Sequence, residues 1–254
     1  MNLRKCILTN NNCYKANQKI TVKGIMVHST GANNPNLKRY VQPNDGLLGN
    51  NPNGNSWNQA KPDGRSVCTH AFIGKLADGS IATYQTLPWE INGWHAGGSA
   101  NNSYIGFEIC EDGLSDKTYF DKVYKEAVEL CVYLCKQFNL TEKDIICHSE
   151  GYKKGIASNH GDVMHWFPKH GKNMDTFRAD VKEGLTVKET TKTGTLYRVQ
   201  VGAFSVKANA EAYVKKLKNA GFDAFITVAG DMDGDGDVDV TDARLTLRKA
   251  TGLD

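Results

Sequence analysis

Residues 145–168 read IICHSEGYKKGIASNHGDVMHWFP, and the fold prediction for the chain begins from this stretch. Its two opening isoleucines predict the end of a strand. His148 follows that strand directly, and His160 and Asp162 come after a turn rich in glycine and lysine. Imidazoles and a carboxylate in a loop are ligand types of a catalytic zinc ion, which takes about three protein ligands and keeps one position open.

A third ligand has to come from another part of the chain, and His28 is the best-placed donor. It ends the apolar run of residues 23–28, which predicts a buried strand. A lone histidine at a strand end is more often an ordinary polar residue than a ligand. Three candidates at strand ends and in loops favour a site, because sites are built there. The predicted zinc ligands are therefore His28, His148 and Asp162.

Glu108 interrupts an otherwise apolar predicted strand, residues 103–110. A carboxylate that faces a partly buried site is costly unless it is paired. In one interpretation Glu108 is a general base and acid for a zinc-activated water. In the other, the strand alternates and Glu108 points to solvent.

The chain has 254 residues, enough for one sizeable domain and smaller units. Its net charge of +3 does not indicate a nucleic-acid-binding protein, and is compatible with approach to an anionic bacterial wall. The first residues lack the apolar run of a signal peptide, and no stretch approaches the ~18 apolar residues of a membrane span. We therefore expect a protein made in the cytoplasm, without a signal peptide or a membrane span.

The chain has seven cysteines, and an odd number argues against a complete disulfide framework. Cys131 and Cys135 lie four apart on a predicted amphipathic helix and are expected in its core. Cys6 and Cys13 bracket a turn-like segment, and are predicted either to remain thiols or to pair in an oxidising space.

Strands mixed with helices over the first part of the chain predict an α/β fold with a central mixed sheet flanked by helices. Residues 67–84 predict a hairpin that turns at Asp78-Gly79, and residues 120–138 and 174–185 predict amphipathic helices. The predicted organisation is a catalytic domain over 1–185, a linker over 186–195, a small βαβ unit over 196–229 and an acidic loop with a short helix over 230–254.

The acidic loop fits the calcium-binding pattern of an EF-hand. Counting from Asp231, carboxylates fall at positions 1, 3, 5 and 9, glycine at position 6 and Asp242 at position 12. The alternative is a solvated acidic run. The predicted calcium ligands are Asp231, Asp233, Asp235, Asp237 (through its backbone carbonyl) and Asp242.

Several motifs occur in order between residues 20 and 183: Val27-His28-Ser-Thr30, Trp94-His95, Ile105-Gly-Phe-Glu108 and His160-Gly-Asp162. Together they resemble the zinc-dependent N-acetylmuramoyl-L-alanine amidases of the amidase-2 family. The resemblance implies a substrate groove over one zinc ion. It also implies cleavage of the peptidoglycan amide between the lactyl group of N-acetylmuramic acid and L-alanine.

The resemblance also assigns roles to single residues. It matches the predicted zinc ligands to the family's ligands and Glu108 to its acidic residue. His160 stands where many relatives carry lysine, and is expected to stabilise the oxyanion. His70 and His95 are expected to contact substrate or to support the ligands, and Trp94 to line the groove.

The C-terminal part resembles pieces of two other modules. Residues 197–224 resemble the first half of a SPOR domain, a module that binds peptide-free glycan strands. The acidic loop and its helix resemble one half of a dockerin. Two half-modules on one tail predict self-association between chains.

Three functions compete at this point. The first is a zinc amidase, either a prophage endolysin released by a holin or by lysis, or a bacterial autolysin. The second is a peptidoglycan-binding module without catalysis. The third is a calcium-organised scaffold.

Overall fold

A computed structural model describes residues 1–42, 45–186, 202–220, 224, 226, 228–231 and 237–251. The chain divides into two compact units, Met1–Thr191 and Lys192–Asp254. No helix among the described residues combines the length and apolar character that crossing a bilayer requires.

The first unit is built on a six-stranded mixed sheet with the strand order β1-β4-β3-β5-β2-β6. Strands β3 and β4 are antiparallel, and all other neighbouring pairs are parallel. The strands are β1 Leu3–Lys5, β2 Gly24–Asn33, β3 Ala71–Lys75, β4 Ile81–Gln85, β5 Tyr104–Glu111 and β6 Ile145–Cys147. The helices of this unit are α1 Asn12–Ala16, α2 Lys38–Val41, α3 Lys117–Phe138, α4 His148–Lys153 and α5 Met174–Thr186.

The largest core lies between one face of the sheet and the helices α3 and α5. Apolar residues recur on α3 at helical spacing, so that one side of this helix is buried. The Asp116 side chain accepts a hydrogen bond from the Tyr119 amide and caps the first turn. Asn139 ends the helix in a left-handed conformation. Cys131 and Cys135 are buried in this core, as predicted.

The register of β2 and β5 decides which residues face away from these helices. Val27 pairs with Phe107 and both join the core under α3, so the next pair, His28 and Glu108, points to the opposite face. Strand β6 pairs with β2 and ends at Cys147, beside Val27. The chain therefore delivers the following residue to the same end of the sheet as His28.

The predicted hairpin and both long helices are confirmed with small shifts at their ends. Strand β3 begins at Ala71, not at Val67, and the Cys68 amide before it donates to the Trp94 carbonyl in a loop. Three short elements, β1, α1 and α4, lie where no regular structure is predicted.

The prediction that Cys6 pairs with Cys13 is wrong. Cys13 forms a disulfide with Cys68, and the Cys6 thiol donates a hydrogen bond to the Val41 carbonyl. Cys68 is distant in sequence but lies beside α1 in the fold, and sequence spacing gives no sign of this proximity.

The second unit contains two described helices, α6 Lys207–Asn219 and α7 Val240–Thr251. The predicted βαβ unit comprises a strand over residues 196–201, a helix over 207–220 and a strand over 222–228. Helix α6 ends one residue before the end of that predicted helix and has no fully buried side chain. The predicted strand over residues 196–201 lies outside the described residues. Of the predicted strand over 222–228, Ala224, Ile226 and Val228 are described, and none of them is in a strand.

Candidate metal centre

The three predicted zinc ligands converge at the end of the sheet. His28 lies within β2, His148 is the first residue of α4, and Asp162 is on the loop that follows. His28 Nδ1 lies 3.0 Å from Asp162 Oδ2 and 3.1 Å from His148 Nδ1. The third separation, from His148 Nδ1 to Asp162 Oδ2, is 3.7 Å. Among the described residues this is the group of such side chains that could hold a metal ion.

These distances fit a tetrahedral zinc ion. Zinc bonds of about 2.0–2.1 Å place neighbouring ligand atoms roughly 3.3 Å apart. The Nε2 atoms of His28 and His148 both contact other groups, which leaves the two Nδ1 atoms facing each other and the carboxylate. Lone pairs and a carboxylate at this distance repel each other unless a cation lies between them.

Burial and charge act in opposite directions on this cluster. Burial lowers the pKa of His28, against the raising effect of the Asp162 carboxylate. Burial acts to raise the pKa of Asp162, but hydrogen bonds and charge from His148 and His28 outweigh it and hold this pKa well below its usual range. Metal binding requires a neutral imidazole and an ionised carboxylate, and the lowered pKa of each group favours that form.

Glu108 is the register partner of His28 and shares its face of the sheet. Its Oε2 atom is buried and has no hydrogen-bond partner among the described residues. Burial, together with the carboxylates of Asp162 and Glu111, raises the pKa of Glu108 well above its usual range. Of the two interpretations of this residue, the structure therefore supports the buried one, with a carboxylate suited to exchanging a proton.

His160 lies beside the centre and is not one of the converging ligands. Its Nδ1 atom is 3.2 Å from His148 Nε2 and 3.2 Å from Ser158 Oγ. It thus contacts the side of His148 that faces away from Asp162. Its imidazole is exposed, unlike that of His148.

Of the two expectations for His70, a substrate contact or support of the ligands, the structure favours support, because its ring lies against that of His95. His70 is fully buried, its Nε2–H donates to the Ile91 carbonyl at 2.8 Å, and its Nδ1 accepts from the Gly106 amide at 3.1 Å. Burial lowers its pKa to about 4. His70 is a neutral core histidine without an atom available to a ligand.

His95 also has no ring nitrogen available to a substrate, which corrects the expectation of a substrate contact. Its Nδ1 lies 2.9 Å from His28 Nε2, and its Nε2 lies 3.0 Å from the Tyr104 carbonyl. Of the two predicted roles, the structure supports that of a supporting group. Trp94 is half-buried beside Cys68 and stays a predicted wall of the groove.

Sequence reasoning missed several residues that hold the centre. Ser158 contacts both His148 and His160 through its hydroxyl group. Buried Glu111 accepts from the Gly31 amide at 3.1 Å and from His165 at 2.9 Å, and so ties the loop after Asp162 to β5. The position of Ser158, two residues before His160, is the only signal for any of them in the sequence.

The predicted calcium loop lies largely outside the described residues, since residues 232–236 are not described. Asp242 is buried at the start of α7, where its Oδ2 accepts from the Asp239 amide at 2.7 Å. The calcium site therefore stays a prediction.

Comparison with known families supports the interpretation of this centre. The family model described as N-acetylmuramoyl-L-alanine amidase matches residues 17–164, a range that contains His28, Glu108, His148 and Asp162. The chain belongs to the N-acetylmuramoyl-L-alanine amidase family. A second model, the SPOR domain, matches residues 172–231. No comparison supports the dockerin-like interpretation of the C-terminal loop.

Two curated relatives match part of this chain. One is N-acetylmuramoyl-L-alanine amidase CwlH of Bacillus subtilis, 38% identical over 71 residues, which are 26% of this chain and 27% of CwlH. The other is the amidase XlyA of the same organism, 40% identical over 68 residues, which are 26% of this chain and 22% of XlyA. The matched stretches thus span about a quarter of these relatives.

Solved structures show the same fold. A mutant of PlyL superimposes with a TM-score of 0.51 at 19% identity, covering 72% of this chain and all of that chain (100%). The hydrolase AmiA of Staphylococcus aureus, solved with its ligand, has a TM-score of 0.50 at 16% identity, covering 72% of this chain and 82% of that one. At these identities the likeness concerns the fold alone.

Proposed function

We propose that this chain is a zinc-dependent hydrolase that cleaves the peptidoglycan amide between the lactyl group of N-acetylmuramic acid and L-alanine. One observation carries the proposal: three ligand atoms converge beside the unpartnered Glu108 carboxylate. Membership of the amidase family supports the choice of substrate, because the family model covers the whole arrangement.

The residues of the site suit this reaction. When bound, zinc would supply a Lewis acid and lower the pKa of a water molecule toward ~7. Glu108 would accept the proton of the attacking water at Oε2 and pass it to the departing amine of L-alanine. His160 would donate a hydrogen bond from Nε2 to the developing oxyanion, since its Nδ1 faces His148 and Ser158.

The test combines metal content with product chemistry. Purified protein with zinc should release new L-alanine amino termini from isolated cell walls, measured by amino-group labelling. A chelator should stop this release, and added zinc should restore it. Asp162→Ala should lose bound zinc and activity together. Asp121→Ala removes an exposed carboxylate that pairs with Lys117 on α3, and should retain both properties.

The competing functions give different results in the same assay. A binding module without catalysis would be retained on cell walls and release no amino termini. In the absence of calcium, a calcium-organised scaffold would neither be retained on cell walls nor release amino termini. Release of sugar reducing ends without new amino termini would contradict the proposed bond specificity.

We assign the action of the protein to the bacterial cell wall, as an endolysin or an autolysin. The SPOR match over residues 172–231 supports this assignment, because domains of this kind bind glycan strands. Protein lacking residues 192–254 should pellet less with peptide-stripped glycan. Equal pelleting of the full-length and shortened proteins would contradict glycan binding by residues 192–254.

Calcium binding by residues 231–242 and self-association through the tail are further proposals. The carboxylate spacing from Asp231 to Asp242 supports calcium binding. Titration calorimetry should detect one calcium site, which Asp235→Ala should abolish. Sedimentation with and without calcium tests self-association, and a monomer under both conditions would exclude it.

A further inference from the structure

Residues His95 and Ala96 form a short segment, here called the support segment, that contacts His28 directly and His148 through Ser158. His95 Nδ1 is 2.9 Å from His28 Nε2, and the Ala96 carbonyl is 3.2 Å from Ser158 Oγ, which contacts His148. One residue of the segment thus supports each histidine of the proposed metal site.

The first path of hydrogen bonds runs from His28 through His95 to the Tyr104 carbonyl, and this carbonyl determines the proton positions along the path. The Tyr104 carbonyl can only accept a hydrogen bond, so His95 carries its proton on Nε2 and donates it over 3.0 Å. His95 Nδ1 is then an acceptor, and His28 must donate from Nε2. This leaves a lone pair on His28 Nδ1, the atom that faces His148 and Asp162.

The second path has the same logic. The Ala96 carbonyl accepts from the amide of Ser158 at 2.8 Å and from its hydroxyl group at 3.2 Å. With its proton directed to Ala96, Ser158 Oγ can accept from His148 Nε2–H at 3.2 Å, and His160 Nδ1, also 3.2 Å from His148 Nε2, is a second acceptor for the same proton. His148 therefore also keeps its lone pair on Nδ1, toward His28.

The support segment is itself held on two sides. The Asn101 side-chain oxygen accepts from the backbone amides of both His95 and Ala96, at 3.1 and 2.7 Å. The His95 ring lies against Gly106 on β5, where a Cβ atom would come within 2.3 Å of the ring. Glycine at position 106 of the Ile105-Gly-Phe-Glu108 motif thus leaves space for the His95 imidazole.

We propose that the support segment selects the metal-binding tautomer of both histidines, with His95 as a positioning residue for His28 and Ser158 as one for His148. The inference rests on the proposed metal site but not on the proposed reaction. A hydrogen-bonding partner that orients a ligand histidine typically contributes 10–100-fold to metal affinity.

The experiment compares two substitutions of His95 in the full-length protein. His95→Leu fills similar space without an acceptor, whereas His95→Asn offers an amide oxygen where Nδ1 stands. Zinc and cobalt dissociation constants are measured by competition with a chelator. His95→Leu should weaken both about 10–100-fold, and His95→Asn should stay within about threefold of the wild type. His170→Leu is the matched control, because His170 stacks on Phe120 and contacts no proposed ligand.

Nitrogen NMR of the metal-free protein provides the second measurement. The wild type should show His28 and His148 protonated at Nε2. His95→Leu should give mixed tautomers at His28 only, and Ser158→Ala at His148 only. Circular dichroism and thermal unfolding identify any variant that fails to fold. If His95→Leu fails to fold, Gly106→Ala replaces it. A Cβ atom at position 106 displaces the His95 ring without changing the chemistry of that ring, so Gly106→Ala should show the same change in the His28 tautomer.

The outcomes separate the inference from the proposed function. Equal loss of affinity in the two His95 variants, or an unchanged His28 tautomer in His95→Leu, would overturn the inference. A wild type that binds neither zinc nor cobalt would overturn the proposed metal site, and with it both the proposed function and the inference. Tight zinc binding with no hydrolysis would overturn only the proposed reaction.

Discussion

The chemistry of each histidine in this structure depends on the groups that its ring nitrogens contact. His28, His70 and His95 are three imidazoles on the same side of the sheet, and only His28 keeps a lone pair toward Asp162. Motif order in the sequence predicts His28, because strand ends and family motifs are local signals. The roles of His70 and His95 depend on which carbonyl each ring nitrogen meets, and that depends on contacts between distant parts of the chain.

Glu108→Gln tests the role of the buried carboxylate. Glutamine keeps the size and the hydrogen-bonding capacity of the side chain but cannot take up a proton. We expect kcat to fall by about 10²–10⁴-fold while zinc affinity changes little. Initial rates on cell walls, together with chelator competition, measure the two quantities. A similar loss in Glu129→Gln, on the surface of α3 and away from the metal centre, would show that the effect is not specific.

His70 makes the stability of the fold depend on pH. Its pKa is about 4 in the folded protein, below the unfolded value of 6.5, so its contribution is complete above pH 6.5 and is lost as pH falls toward 4. The loss amounts to about 3 kcal/mol. His70→Gln retains a donor for the Ile91 carbonyl but lacks this titration. Its unfolding free energy, from urea titrations between pH 4 and 7.5, should fall less steeply than that of the wild type. Parallel curves would contradict this account.

At the scale of elements, long periodic segments are predictable and short ones are not. The spacing of apolar residues on α3 extends over many turns and decides both its type and its buried face. Strand β1 and helix α1 are too short to show a period, and form because neighbours such as β4 offer them partners. Helix α4 begins at His148 and accounts for part of the sequence between His148 and Asp162.

The start of α3 allows a clean test of capping. Asp116 and Ser115 are neighbouring exposed polar residues, and only Asp116 accepts from the Tyr119 amide. Asp116→Ala should lower the unfolding free energy by about 1 kcal/mol. Ser115→Ala should change it by less than about 0.5 kcal/mol. Thermal or urea unfolding of the two variants measures the difference, and equal effects would show that the cap is not the cause.

At the scale of the whole molecule, the first unit ends beyond the family match. The amidase model stops at residue 164, yet Met174, Phe177 and Val181 on α5 are buried in the core under the sheet. The SPOR match begins at residue 172 and so includes this helix. Sequence alone predicts α5 as the closing helix of the catalytic domain, because the apolar residues over 174–185 recur at helical spacing.

Two truncations test this boundary. A fragment of residues 1–191 keeps α5 and should unfold cooperatively at a temperature within a few degrees of the full-length protein. A fragment of residues 1–171 lacks three buried apolar side chains, each worth about 2–5 kcal/mol, and should not form a stable fold. Calorimetry and near-UV circular dichroism measure both. A stable, zinc-binding shorter fragment would contradict the assignment of α5 to this unit.

The position of α5 also limits how the parts of this protein can be exchanged. A recombination joint placed where the SPOR match begins would leave the first unit without the helix that covers part of its core, and would carry a helix with an exposed apolar face into its new host. A joint placed after Thr186 would transfer only the residues that follow α5. When the tail is inherited or engineered as a separate part, α5 therefore has to stay with the first unit, although the SPOR match includes this helix.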